Sequence, residues 1–182
     1  MAGGAANVAC NLAQLGLHVH LIGVCGNDTA AMDLENELSA YPAIQFDPVR
    51  IKDRPTSVKT RYRAGGQQIL RVDDEITIDI GDRDVKSVLA LTTAALDDAD
   101  LMVISDYGKG ALPLPLLDQI IATAKAKGKH IVADPKRKNV SAYANIDLLT
   151  PNLEELRAIT AMHLFNIDEI GKAATELAKT HG

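Results

Sequence analysis

Short apolar runs bounded by turn residues alternate along this 182-residue chain with segments whose apolar residues recur at helical spacing, which confines it to an α/β architecture. The runs are His18 to Val24, Leu101 to Ile104, His130 to Ala133 and Asp147 to Leu149. Each is delimited by Gly, Asp, Asn or Pro, as buried parallel strands are. Between them, Met32, Leu34 and Leu38, then Val85, Val88, Leu89 and Leu96, then Leu116, Leu117, Ile120, Ile121 and Ala124 mark helices with one apolar face. A last helix is expected from about Asp168 to Thr180.

Residues 44–74 break this rhythm. Ile44 to Ile51 and Thr56 to Arg63 read as strands, and Gly65-Gly66 reads as a two-residue hairpin turn into Gln67 to Asp73. The expectation is a small β-sheet inserted at about 44–74 in a mostly parallel fold, the whole of 1–182 forming one partial domain. With 47% hydrophobic residues a chain of this length buries a core, and no apolar run is long enough to cross a membrane. A formal charge of −5 argues against general nucleic-acid binding while leaving room for a local cationic pocket. Cys10 and Cys25 have no metal-ligand spacing, and no leader pattern precedes the first helix, so a cytoplasmic location is expected. His18 and His20 alternate with Val19 and Leu21 and read as a solvent-facing pair.

Five stretches carry candidate chemistry. Gly3-Gly4 opens a run of small residues and suits either an ordinary tight turn or a close backbone approach to a ligand, and Asn7 falls in the first helical turn, where its amide can reach sugar hydroxyls. In Lys59-Thr60-Arg61-Tyr62-Arg63 the period of two sends Lys59, Arg61 and Arg63 to one strand face, suited to a phosphate or to a solvated edge that resists aggregation. Ser105-Asp106-Tyr107-Gly108-Lys109-Gly110 follows an apolar strand, at the carboxyl end where open α/β sheets bind ligands; Asp106 there serves either sugar hydroxyls or a turn before the Pro113 helix. Two further strand ends carry Asp134-Pro135-Lys136 and Thr150-Pro151-Asn152-Leu153-Glu154-Glu155. Asn152 and Glu155, three apart at a helix start, suit either a capping box or the water shell of Mg²⁺.

In this order the motifs resemble those of the ribokinase and minor phosphofructokinase family of sugar kinases. The return strand Gln67-Gln68-Ile69-Leu70-Arg71-Val72-Asp73 is similar to the lid of the heptose 7-phosphate kinases within it. The resemblance implies a ribokinase-like three-layer sandwich with an inserted β-sheet lid over the sugar, ATP and Mg²⁺ as cofactors, and a homodimer clasped through the lid. It implies sugar contacts from Gly3, Gly4, Asn7, Lys59, Arg61, Gln67, Arg71 and Asp106. Asp134, Lys136, Asn152, Leu153, Glu154 and Glu155 are implied for ATP and its phosphates, with Asn152 and Glu155 holding the metal through water. The implied reaction is phosphorylation of the anomeric hydroxyl of a heptose 7-phosphate. Alternatives are another sugar or nucleoside kinase of the family and a non-catalytic module that binds sugar phosphate or dimerises. The family's Gly-Ala-Gly-Asp segment, whose aspartate is the base, does not occur in these residues. The chain therefore reads as a fragment cut at both ends and, alone, inactive.

Overall fold

In the computed structural model, which describes residues 1–137 and 139–181, the expected alternation is realised in two units, Met1–Val88 with Lys109–Ala111 and Leu89–Gly108 with Leu112–Gly182. The first begins with α1 (Gly4–Gln14), which buries Ala6, Ala9 and Cys10. Strand β1 (Val19–Cys25), helix α2 (Thr29–Leu38) and strand β2 (Ile44–Arg50) follow. Ala6 and Cys10 pack with Leu38, Leu21, Ile44 and Phe46, so the small residues of α1 let it lie close to the strands. Asp28 caps α2, its Oδ1 accepting from the Ala31 N–H at 2.9 Å.

Strand β2 departs from the expected organisation. It runs parallel to β1 in continuous register from Val19 opposite Ile44 to Cys25 opposite Arg50. The inserted antiparallel sheet is thus only the hairpin β3 (Val58–Ala64) and β4 (Gln67–Asp74), narrower than 44–74. Gly65 and Gly66 join them at φ 56° and 82°, the left-handed pair that a type I′ turn requires.

Helix α3 (Asp82–Asp98) carries the chain into the second unit, where β5 (Leu101–Ser105), β6 (His130–Asp134) and the two-residue β7 (Leu148–Leu149) form a parallel sheet in that spatial order. Helix α4 (Leu114–Ala126) connects β5 to β6, and a short 3₁₀ helix (Val140–Tyr143) lies between β6 and β7. Helices α5 (Leu153–Thr160) and α6 (Ile167–His181) pack through Leu156, Leu164, Ala173, Ile170 and Leu177.

Leu116, Leu117 and Ile131 are fully buried. Each such side chain contributes roughly 1.5–3 kcal/mol of hydrophobic stabilisation. The sequence reading expected β5 buried on both faces, yet Met102 and Ile104 are buried while Leu101 and Val103 remain 46% and 39% exposed. Register puts Leu148 on the same open face as Val103, through Val132.

Candidate functional site

In the first unit Gly3 is extended ahead of α1, Gly4 has φ 54°, and Asn7 is exposed in the first turn. The loop after β1 is tied to the approach of the hairpin. Asp28 Oδ2 accepts from the Thr56 N–H at 2.8 Å and Oδ1 from the Thr56 hydroxyl at 2.7 Å, while that hydroxyl accepts from the Gly26 N–H at 2.9 Å. These bonds hold the Asp28 carboxyl below its usual range. Arg54 donates to the Ile78, Ile76 and Lys109 carbonyls at 2.9, 3.0 and 2.5 Å, clamping the segment that leaves the hairpin.

The hairpin has two unlike faces. Lys59 lies opposite Asp73 and Arg61 opposite Arg71, so all four share one face. Val58, Tyr62, Leu70 and Val72 share the other and are 36% to 54% exposed. The register shifts between Tyr62 and Arg63, passing over Ile69 on β4, and leaves Gln67 opposite Ala64. Gln67, expected as a sugar contact, therefore lies on the face opposite the cations. Two of the expected cations are already paired. Lys59 Nζ donates to Asp73 at 2.8 Å and Glu75 at 2.9 Å, and Arg71 Nε donates to Asp73 at 2.8 Å. Lys109 also donates to Glu75, so Glu75 joins two lysines and is held below the usual carboxylate range by Lys109 first and Lys59 second. Arg61 is exposed and has no ion-pair partner among the described residues.

In the second unit, the polar groups collect at the carboxyl ends of the strands. Ser105 is in register with Asp134, and the Asp134 carboxyl is raised above its ordinary value by burial first and by Glu155 second, against the opposing effect of Lys136. Lys136 Nζ lies 3.3 Å from Glu155 Oε1. The Asn152 side chain accepts from the Glu155 N–H at 3.0 Å, and Glu155 Oε2 accepts from the Asn152 N–H at 2.9 Å, a complete capping box. Asp134, Lys136, Asn152 and Glu155 are thus brought together. Leu153 is exposed at the first turn of α5, and Glu154 instead accepts from Arg157 Nη1 at 2.6 Å on the helix surface. The Ser105 hydroxyl is buried without a hydrogen-bond partner among the described residues.

Asp106 is the main departure from expectation. It is 5% exposed, and both oxygens are engaged: Oδ1 accepts from the Gly108 N–H at 2.7 Å, while Oδ2 accepts from Arg137 Nε at 2.9 Å and the Tyr143 hydroxyl at 2.7 Å. The carboxylate expected on sugar hydroxyls is spent on internal donors. Sequence reasoning missed Arg54, Glu75, Lys109, Arg137 and Tyr143 as site-shaping residues. Lys109, inside the 105–110 motif, and Arg137, directly after Lys136, carried a visible signal. A depression of about 810 Å³ between α4 and the 3₁₀ helix, lined by Lys125, Ser141 and Asp147 among others, lies away from this strand edge.

The cluster fits a phosphate-bound divalent cation by its donor set. Burial first and Glu155 second make the Asp134 carboxylate costly to ionise, a cost that a nearby cation lowers, and Mg²⁺ takes few protein oxygens and several waters.

The chain is 38% identical over 181 residues to the bifunctional protein HldE of Azorhizobium caulinodans, covering 99% of this chain and 37% of that protein. Over 157 residues it is 43% identical to the HldE of Pseudomonas fluorescens, covering 86% of this chain and 32% of that one. It thus spans about a third of the length of these curated relatives. The tetrameric inhibited form of phosphofructokinase-2 from Escherichia coli superposes with a TM-score of 0.78 at 24% identity, over 98% of this chain and 59% of that one. Arabidopsis thaliana ribokinase complexed with ribose and ATP does so at 0.71 and 19%, over 98% and 57%. The fold is therefore the α/β ribokinase-like one. The pfkB family carbohydrate kinase model matches residues 1–182, and the chain belongs to that family.

Proposed function

We infer that this chain is part of an ATP-dependent kinase that phosphorylates the anomeric hydroxyl of a heptose 7-phosphate. The observation that carries the reading is the grouping of Lys136 with Asp134, Asn152 and Glu155 at the strand ends. Lys136 would offset phosphate charge there, while Asn152 and Glu155 would hold Mg²⁺ through its water shell. Mg²⁺ bound there would supply charge neutralisation of the transferred group. The heptose assignment rests on the relatives' names and on the cationic hairpin face, where Arg61 lies opposite Arg71. Two like charges across a ladder repel, and an anion such as a sugar phosphate relieves that repulsion.

The apolar hairpin face of Val58, Tyr62, Leu70 and Val72 supports a homodimer in which a second copy's hairpin covers it. The 182 residues alone are expected to show no turnover, since the family's Gly-Ala-Gly-Asp base segment is not among them. Steady-state kinetics on the full-length protein carrying this chain test the reading. Sugar-dependent ADP release with heptose 7-phosphate, and far less with the dephosphorylated heptose, is expected. Equal use of both sugars rejects the phosphate assignment.

A further inference from the structure

One buried carboxylate touches both segments that flank Lys136. Asp106 Oδ2 accepts from the Tyr143 hydroxyl at 2.7 Å, and that hydroxyl in turn accepts from the Lys136 backbone N–H at 3.5 Å. Asp106 Oδ1 accepts from the Gly108 N–H at 2.7 Å. Gly108, at φ 61°, forms a floor for the lysine stem: a Cβ placed on it would lie 3.5 Å from Lys136 Cγ and 3.9 Å from Lys136 Cβ. Arg137 balances the buried charge from Oδ2 and also donates to the Leu112 carbonyl, tying the same two segments together. The Asp106 carboxylate therefore acts on Lys136 from two sides, through Tyr143 on its main chain and through Gly108 under its side chain.

We propose that Asp106 is a positioning residue that, with Tyr143, sets how Lys136 is presented beside Glu155. This rests on the reading of Lys136 as a phosphate contact, and it replaces a direct sugar contact for Asp106. A lysine stem has four rotatable bonds, and a side chain 54% exposed is held only by what lies under it and at its tip. Loss of the Tyr143 hydroxyl loosens the main chain at Lys136 and leaves the aromatic ring in place.

Labelling on the 182-residue chain, together with kinetics on the full-length protein, tests this. Parent, Tyr143→Phe and Asp106→Asn are treated with a limiting lysine-selective acylating ester, and the rate at Lys136 is read by peptide mass spectrometry against exposed Lys86 as internal reference. Release of a partly exposed ion pair predicts a rise of about two- to fivefold at Lys136 in both variants, with Lys86 unchanged. An unchanged Lys136 rate together with a lowered Tm overturns the proposal and leaves the network a purely structural one. If Asp106→Asn does not fold, Tyr143→Phe decides. Mg·ATP added to the parent separates the two readings: protection of Lys136 supports the phosphate contact, whereas no protection with the variants still altered rejects that contact and keeps the positioning role. In the full-length protein Tyr143→Phe is expected to raise the KM for ATP and leave that for the sugar phosphate unchanged. The opposite split returns Asp106 to the sugar site and overturns the proposal.

Discussion

Arg61 and Lys59 share one hairpin face, yet their surroundings predict opposite consequences for Arg61→Ala and Lys59→Ala. Lys59 donates to Asp73 at 2.8 Å and to Glu75 at 2.9 Å, and those carboxylates hold its ammonium above the usual range, Asp73 first and Glu75 second. A substrate phosphate must compete with two carboxylates for it. Arg61 faces only Arg71 across the ladder, and the carboxylate beside Arg71, Asp73, is shared with Lys59. The Arg61 guanidinium is thus available for bidentate phosphate recognition. A charge-assisted bond contributes about 1.5–3 kcal/mol, so Arg61→Ala in the full-length protein should raise the KM for the sugar phosphate by about ten- to a hundredfold, with the KM for ATP nearly unchanged. Lys59→Ala should raise it much less. Thermal unfolding of the 182-residue chain supplies the second half of the test. Removing Arg61 relieves like-charge repulsion and should leave Tm unchanged or slightly higher, whereas removing Lys59 uncovers Asp73 and Glu75 and should lower it. A larger kinetic loss from Lys59→Ala than from Arg61→Ala, or an equal loss with heptose and heptose 7-phosphate, refutes the reasoning.

Three other outcomes follow from the second unit. Asn152→Ala removes the capping acceptor for the Glu155 N–H and should cost about 1 kcal/mol, seen as a Tm lowered by about 2–4 °C, while Glu155→Gln keeps an acceptor for the Asn152 N–H and should lower kcat with a smaller Tm change. Asp134 is raised in the folded state by burial and then Glu155, so its charge opposes folding above that raised value and the penalty fades as pH falls through it. Asp134→Asn should therefore raise Tm at pH 7, the gain shrinking on acidification, and a variant less stable at pH 7 would contradict this. Leu117→Ala empties a fully buried site and should cost about 2–5 kcal/mol in urea unfolding, while Val103→Ala on the open sheet face should cost under about 1 kcal/mol.

Local pattern was enough for the elements. Periodicity placed a strand at Leu101, a helix through Leu116 to Ala124 and a hairpin around Gly65-Gly66, because side-chain period and turn chemistry are properties of neighbouring residues. The capping and metal readings of Asn152 and Glu155 were both legible for the same reason, a spacing of three at a helix start. Partnership across the chain was not. The sequence read Ile44 to Ile51 as a strand of the inserted sheet, and only the fold paired it with β1, since strand pairing depends on which edge is free in space. Alternation made Lys59 and Arg61 equivalent, and the folded register separated them by setting Asp73 and Glu75 beside one and Arg71 beside the other. Asp106 looked like an open carboxylate at a strand end, and tertiary packing closed Arg137 and Tyr143 around it. A charge taken out of water must find donors within hydrogen-bond reach, and those donors lie 31 and 37 residues away along the chain.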